Sequence, residues 1–238
     1  MRVVTWNIEL GKDIELAAEE LLGQPDLKNA DLILVQEMSP ASTDQLSSLL
    51  GIPALYDAVA THPKTGLPFG NAILSPWPLS DPQNVALPHT ALIDGQARSV
   101  LFATADIDGD QVVVGSIHLE TVLLDVRRRS RQVVAAAQHL DQTTQPCIIG
   151  GDFNSASRRS LRAFDDVLRK ADVHRLSTEE QPTFHRFGRP FFLDHIFGRG
   201  VTRIESGVVE AAAASDHDPV WAIVELDENR PLPNGVSN

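Results

Sequence analysis

A single cysteine, Cys147, excludes an internal disulfide, and its isoleucine neighbours mark it as a packed thiol. No apolar stretch approaches the ~18 residues of a membrane-spanning helix. The chain opens with Met-Arg-Val-Val-Thr-Trp and lacks a charged segment followed by a long apolar one, so a cytoplasmic protein is expected. Aromatic residues make up only 5% of the chain, too few to suggest a stacking platform, and no apolar hairpin suggests membrane insertion. Basic residues are also scarce: 20 Lys and Arg face 32 Asp and Glu, and the net charge of −12 argues against a general electrostatic grip on nucleic acid. There is no internal repeat, low-complexity tract or linker.

What is present is an ordinary globular composition of 238 residues, 42% hydrophobic and 22% charged. A chain of that length buries roughly 70–75% of its unfolded surface, so it needs neither a disulfide nor a metal staple to hold it together. One domain is expected over residues 1–227, followed by a frayed tail at 228–238 with two prolines and Gly235. Charge is unevenly spread. Residues 118–203 carry 14 Lys and Arg against 10 Asp and Glu, which leaves the strongly acidic balance to the rest of the chain. A substrate with a few phosphates could be held on that third quarter, whereas a long duplex would be repelled elsewhere.

Periodicity places strands at 3–8, 31–37, 56–60, 70–75, 98–107, 111–119, 191–198, 201–212 and 219–226, with Asp108-Gly109-Asp110 turning the central hairpin. Helices are expected at 13–22, 42–50, 126–141 and about 158–170, with Val133, Val134, Ala137 and Leu140 on one face of the third. The prolines at 76, 78, 82 and 88 suggest an irregular connection, and the segment from 171 to Phe191 is read as irregular too. Hairpin-linked strands outnumber helices, so the physical expectation is two packed sheets covered by a few helices.

The pivotal stretch is Cys147-Ile148-Ile149-Gly150-Gly151-Asp152-Phe153-Asn154-Ser155. An apolar strand end is followed by two glycines that let the backbone turn, and then by a carboxylate and a carboxamide at i and i+2. If strand geometry persists, both side chains meet on one face and can hold a water or a phosphate oxygen; the alternative is an Asx turn leading into the next helix. Four further strand-like runs end in comparable groups, at Asn7, Glu37, His118 and Ser215-Asp216-His217-Asp218-Pro219. A sixth run, Leu193-Asp194-His195-Ile196, places a carboxylate among bulky apolar residues, where it is costly unless paired. Six such positions together suggest one cleft along the sheet edges. His62, His89, His139, His174 and His185 have no such context and are read as surface residues, while His195 should point away from Asp194. The run Arg127–Arg131 is read as a solvated helix face from which one arginine could turn to phosphate.

In order and spacing, the series Thr5-Trp6-Asn7, Gln36-Glu37, Gly70-Asn71-Ala72-Ile73-Leu74-Ser75, His118-Leu119-Glu120, Gly150-Gly151-Asp152-Phe153-Asn154, Leu193-Asp194-His195-Ile196 and Ser215-Asp216-His217-Asp218-Pro219 resembles the endonuclease/exonuclease/phosphatase superfamily, also called the deoxyribonuclease-I-like fold. The resemblance implies a four-layered α/β/β/α sandwich of two mixed, mainly antiparallel sheets flanked by helices. It also implies a Mg2+ ion, or Mn2+ in its place, with Asn7, Glu37 and Asp216 in the metal set. The implied catalytic set is His118, Asp152, Asn154, Asp194 and His217. In it Asp194 fixes the imidazole of His217, Asn154 donates to phosphate oxygens, His118 contacts phosphate, and either His217 or Asp152 serves as the general base.

The pattern departs from abasic-site endonucleases of the superfamily. Glu9 stands where they tend to carry an aspartate, and Tyr56, the sole tyrosine, lies outside any matching motif. Pro76 follows Ile73-Leu74-Ser75 where many members have a basic residue, which removes one substrate contact. The His118-Leu119-Glu120 segment is similar to that of tyrosyl-DNA phosphodiesterases and sphingomyelinase-like members. The expected activity is Mg2+-dependent hydrolysis of a phosphodiester, with a nucleic-acid or nucleotide substrate favoured over a phospholipid or small phosphomonoester. The contrasting expectation is a binding module that keeps the fold without turnover.

Overall fold

β1 (Arg2–Asn7) shows how this sequence builds its interior: Val3 faces one apolar cluster and Val4 and Trp6 another, so a β-branched run with period two is buried on both faces. The computed structural model describes residues 1–227 apart from 64, 93–94, 122–124, 179 and 211; the tail expected at 228–238 lies outside the described residues.

After β1 come α1 (Ile14–Gly23), β2 (Leu32–Met38), α2 (Pro40–Leu50), β3 (Ala54–Thr61) and β4 (Pro68–Leu74). These are followed by β5 (Leu79–Ala86), β6 (Ser99–Ile107), β7 (Asp110–His118), α3 (Val126–Leu140), β8 (Cys147–Asp152) and α4 (Arg158–Leu168). The chain closes with β9 (His174–Arg175), β10 (Phe184–Arg186), β11 (Arg189–Phe191), β12 (Asp194–Arg199), β13 (Val201–Val208) and β14 (Val220–Leu226).

Two six-stranded sheets result, ordered β13-β14-β1-β2-β4-β3 and β5-β6-β7-β8-β12-β9. Only β1 with β2 and β7 with β8 pair in parallel, so both sheets are mixed and mainly antiparallel. Between them lies a core of Leu34, Ile73, Val114, Ile148 and Ile196. The outer face of the first sheet is covered by Ala17 and Leu21 of α1 and Leu46 of α2. The second is covered by Val133 and Leu140 of α3 with Phe164 and Leu168 of α4. This is the four-layered sandwich anticipated above. Truncating one of the fully buried rings, such as Phe164 or Phe197, to Ala would cost ~3–5 kcal/mol.

Serine and aspartate caps start the helices where propensity alone would not. Ser39 and Ser42 form a reciprocal capping box ahead of α2, Ser157 and Ser160 repeat it at α4, and the carboxylate of Asp125 accepts from the amides of Arg127 and Arg128 at α3.

Several expectations are corrected. The proline-rich segment after Pro76 contains an edge strand, β5, whose pairing with β6 skips across Asp81 and Pro82; an edge bulge tolerates the missing amide. The segment before Phe191 holds a short hairpin, β10 with β11. Val134 is 37% exposed and lies outside the packed face of α3, whereas Arg129 and Gln132 are buried there. The glycines before Asp152 do not turn the chain: β8 runs straight through them, and a β-carbon at Gly151 would collide with the Ile117 carbonyl of the paired strand. His139 stacks on Phe102 at 4.4 Å between ring centroids, and His62 and His89 are also half-buried, so only His174 and His185 of that group are surface residues.

Candidate active site

The registers of three neighbouring strands set the geometry. His118 is opposite Asp152 in the parallel β7–β8 pair, and Asp152 is opposite Asp194 in the antiparallel β8–β12 pair. Three polar side chains therefore stand in a row at one edge of a sheet, one strand spacing (~4.8 Å) apart. The facing sheet brings Asn7 from the end of β1 and Glu37 from β2, and the connection into β14 brings Asp216 and His217. Of the eight side chains singled out in the sequence, seven line one cavity of about 190 Å³, and Asp194 sits behind His217. A larger hollow of about 650 Å³, bounded by Arg169, His174, Glu180 and Arg203, contains none of them.

Asp194 and His217 form a buried pair. The imidazole Nδ1 donates to Asp194 Oδ2 at 2.8 Å, leaving Nε2 3.9 Å from Asp152 Oδ2. Burial alone would strip the proton from His217, but the Asp194 carboxylate and then Asp152 overcome it, and the pKa is pushed up to about 10. Thr183, absent from the sequence reading, supports the pair: its hydroxyl donates to Asp194 Oδ2 at 2.7 Å and accepts from the Leu193 and Asp194 amides. Trp6 Nε1 donates to the His217 carbonyl at 2.7 Å and the Phe184 ring lies 4.8 Å from the imidazole, so its backbone and its ring are both held.

Asp152 combines both readings of its motif. Oδ1 accepts from the Asn154 amide at 2.8 Å, an Asx turn, while Oδ2 faces the cavity and accepts from Asn7 Nδ2 at 3.2 Å. Burial, then the neighbouring Asp194 carboxylate, push its pKa up to about 7. Asn154 does not continue the strand. Its φ of +49° swings it into the cavity through a left-handed turn, and Nδ2 spends one hydrogen on the Leu119 carbonyl at 3.1 Å. Arg129 Nη1 donates to the Asn154 carbonyl, so this buried arginine of the basic run braces the turn and does not line the cavity.

Glu37 also takes a left-handed conformation, φ +62°, at an irregularity in the β2–β4 pairing. That kink separates Gln36 from Glu37 in task. Gln36 Nε2 donates to Ser116 Oγ on the other sheet at 3.0 Å, and Ser116 returns a bond to the Val35 carbonyl. Glu37 reaches the cavity, where burial raises its pKa and Arg98 opposes the shift. His118 is held neutral, its pKa well below the ordinary value because of burial and then Arg98. Behind it, Arg98 lies 3.3 Å from the Glu120 carboxylate and over the Phe69 ring. None of these supports carries a sequence signal, because each joins residues far apart in the chain.

The residues fit a divalent cation. Asp152, Asp194 and His217 can each place a ligand atom within 4.8 Å of the others. His217, however, keeps its proton to about 10, so oxygen atoms are what the site offers a cation at neutral pH. Asn7 Oδ1 is buried without a hydrogen-bond partner, while its Nδ2 is spent on Glu37 and Asp152. An orphaned carboxamide oxygen beside two carboxylates is a hard-oxygen donor set.

Fold and site together define a phosphoester hydrolase whose polar groups gather at the edge of a two-sheet sandwich. The chain belongs to the Endonuclease/Exonuclease/phosphatase family, whose model matches residues 4–217. It is similar to a UPF0294 protein of Yersinia pseudotuberculosis, 29% identical over 95% of this chain and 83% of that protein. In fold it is similar to a D. rerio TDP2 complexed with single strand DNA product, with a TM-score of 0.74, 16% identity and coverage of 94% of this chain and 98% of that one. A mannosyl-6-phosphatase of Bacteroides thetaiotaomicron matches with a TM-score of 0.75, 16% identity and coverage of 95% and 100%. Among the described residues no helix is long and apolar enough to cross a membrane.

Proposed function

We propose that this protein is a divalent-metal-dependent phosphodiesterase acting on nucleic-acid or nucleotide phosphodiesters by in-line attack of water. The observation that carries the reading is a carboxylate and an imidazolium facing one cavity: Asp152 Oδ2 lies 3.9 Å from His217 Nε2, with the Asp152 pKa raised to about 7 and that of His217 to about 10. Asp152 Oδ2 takes the proton of the attacking water, a task suited to a carboxylate titrating near neutral pH. Water oxygen bonds to phosphorus as the ester P–O bond breaks on the opposite side. His217 Nε2–H donates to the phosphoryl oxygens as negative charge gathers there. Its charge at neutral pH favours Asp152 for the base role and leaves Asp194 to orient the ring. The remaining amide hydrogen of Asn154 and the N–H of neutral His118 add donors without adding charge. Asn7 and Glu37, with Asp216 at the rim, would hold Mg2+ or Mn2+, which supplies charge neutralisation at phosphate and at the leaving oxygen. Its presence would also relieve the repulsion between Asp152 and Asp194.

A diester is favoured because the cavity opens beside the Phe184, Arg186 and Phe191 side chains, which give a second substituent on phosphorus somewhere to lie. The solved relative with single strand DNA product supports a nucleic-acid ligand, and the mannosyl-6-phosphatase supports the competing reading of a small phosphomonoester. Comparing turnover of bis-p-nitrophenyl phosphate with p-nitrophenyl phosphate, each with Mg2+, Mn2+ or chelator, tests the assignment. Metal-dependent preference for the diester is expected. Preference for the monoester would move the substrate to sugar or nucleotide phosphates.

A further inference from the structure

The hairpin of β10 and β11 ends in a two-residue turn, Phe187-Gly188, closed by the pair Arg186 and Arg189. Both turn residues have positive φ, +51° for Phe187 and +70° for Gly188, as the twist of a tight hairpin demands. Asparagine or glycine is the natural occupant of the first position, and an aromatic residue there is strained. Phe187 is nevertheless 92% exposed, the largest exposure among the big apolar side chains of the described residues. Backbone strain that holds a ring out in solvent beside a cavity is the kind of outlier that points to function.

Its surroundings give one. Phe184, Arg186 and Phe191 of the same hairpin line the catalytic cavity, and Phe184 also bridges to His217, so the hairpin is a wall of the site. Phe187 follows Arg186 directly, and the Arg186 guanidinium lies 5.3 Å from the Phe187 ring centroid. Residues 184–191 contain two arginines, a histidine and no acid, within a chain whose net charge is −12. Although aromatic residues make up only 5% of the chain, three phenylalanines, Phe184, Phe187 and Phe191, gather on this one hairpin, two of them in the cavity wall.

We infer that Phe187 is a base-stacking finger: it takes the nucleobase adjacent to the scissile phosphate, with Arg186 contacting the phosphate backbone, and so selects single-stranded nucleic acid or nucleotide diesters. A ring can stack on the base only if the base has left its duplex, and the acidic remainder of the molecule disfavours the charge density of a duplex. A membrane role fits less well, because one ring between two arginines buries too little apolar surface for insertion. The inference rests on the phosphodiesterase reading and adds which side chain recognises the substrate.

The test compares two esters with the same scissile bond and the same p-nitrophenolate leaving group, thymidine 5′-(p-nitrophenyl) phosphate and methyl p-nitrophenyl phosphate. For the wild type, kcat/KM should favour the thymidine ester; in Phe187→Ala that preference should fall by about 5- to 150-fold, the range for removing one stacking aromatic, and Phe187→Trp should restore it. An unchanged preference in Phe187→Ala overturns the inference. Turnover of neither ester would count against the hydrolase reading, and the finger would then be judged by binding of a fluorescein-labelled short oligothymidylate in chelator. Affinity weakened in Phe187→Ala and restored in Phe187→Trp supports it; no binding by the wild type, or equal binding by Phe187→Ala, overturns it. Phe187-dependent sedimentation with phosphatidylcholine vesicles would overturn it in favour of a membrane surface.

Discussion

His217 and Asp194 are joined by a 2.8 Å hydrogen bond from Nδ1 to Oδ2, and the carboxylate keeps the imidazole charged inside the protein. An unpaired buried histidine would shed its proton; this one holds it to about 10. Asp194→Asn should therefore let the His217 pKa fall toward its ordinary 6.5. With the cation lost at neutral pH, kcat should fall by ~10²-fold or more. NMR titration of the imidazole in both proteins checks the cause, and an unmoved pKa would separate Asp194 from His217.

Thr183 positions Asp194 through its hydroxyl without touching the cavity. Thr183→Val keeps the shape and removes that bond, so kcat should drop ~10-fold with KM little changed, about the worth of one hydrogen bond to a charged group. Thr183→Ser should recover most of the loss. A change in KM alone would place Thr183 among substrate contacts instead.

Asp152 makes the site a source of instability without metal. Its folded pKa, about 7, lies above the ordinary 3.8, so folding favours the protonated form. The Asp152 contribution to the stability of the chelated protein should fall as pH rises from about 4 to about 7, by on the order of a few kcal/mol, and level off above. His217 contributes with its own raised pKa: its share is present below 6.5 and lost as pH rises through about 10. Asp152→Asn should thus raise the melting temperature of chelated protein at about pH 8 by several degrees while abolishing turnover. Thermal denaturation across pH, in chelator, checks both signs.

The candidate series from Asn7 to His217 is legible because each member is an oxygen or nitrogen ligand at or beside the end of an apolar run; strand alternation orients Asn7, His118 and Asp152, whereas Glu37 reaches the cavity through a left-handed kink. Asn154 is legible as a cavity residue but not in its route, since its left-handed turn has no periodicity to betray it. Thr183, the Gln36–Ser116 link between sheets and the Arg98–Glu120 pair were illegible for another reason. Each depends on which strands become neighbours, and Gln36 meets a serine 80 residues away. The aromatic hairpin is masked in a whole-chain average, which hides a local cluster. β5 is masked because prolines that forbid a central strand are tolerated at an edge.

Glu37 brings a carboxylate beside the partnerless Asn7 Oδ1. Glu37→Gln keeps the size and removes the charge, so Mg2+ affinity measured by calorimetry should weaken at least ~10-fold. Unchanged affinity would move the cation to other oxygens.

The most direct test of the account is the pH dependence of kcat/KM for bis-p-nitrophenyl phosphate, at saturating Mg2+, in the wild type and in His217→Ala. A bell is expected for the wild type, with its acid limb at or below about 7, since bound cation favours ionised Asp152, and its alkaline limb at or below about 10, where His217 loses its proton and bound cation disfavours the imidazolium. The variant should lose activity by ~10²-fold or more, and its residual rate should lack the alkaline limb. Full activity in His217→Ala, or an unaltered alkaline limb in its residual rate, would contradict the central claim that the imidazolium held by Asp194 stabilises the transferring phosphoryl group.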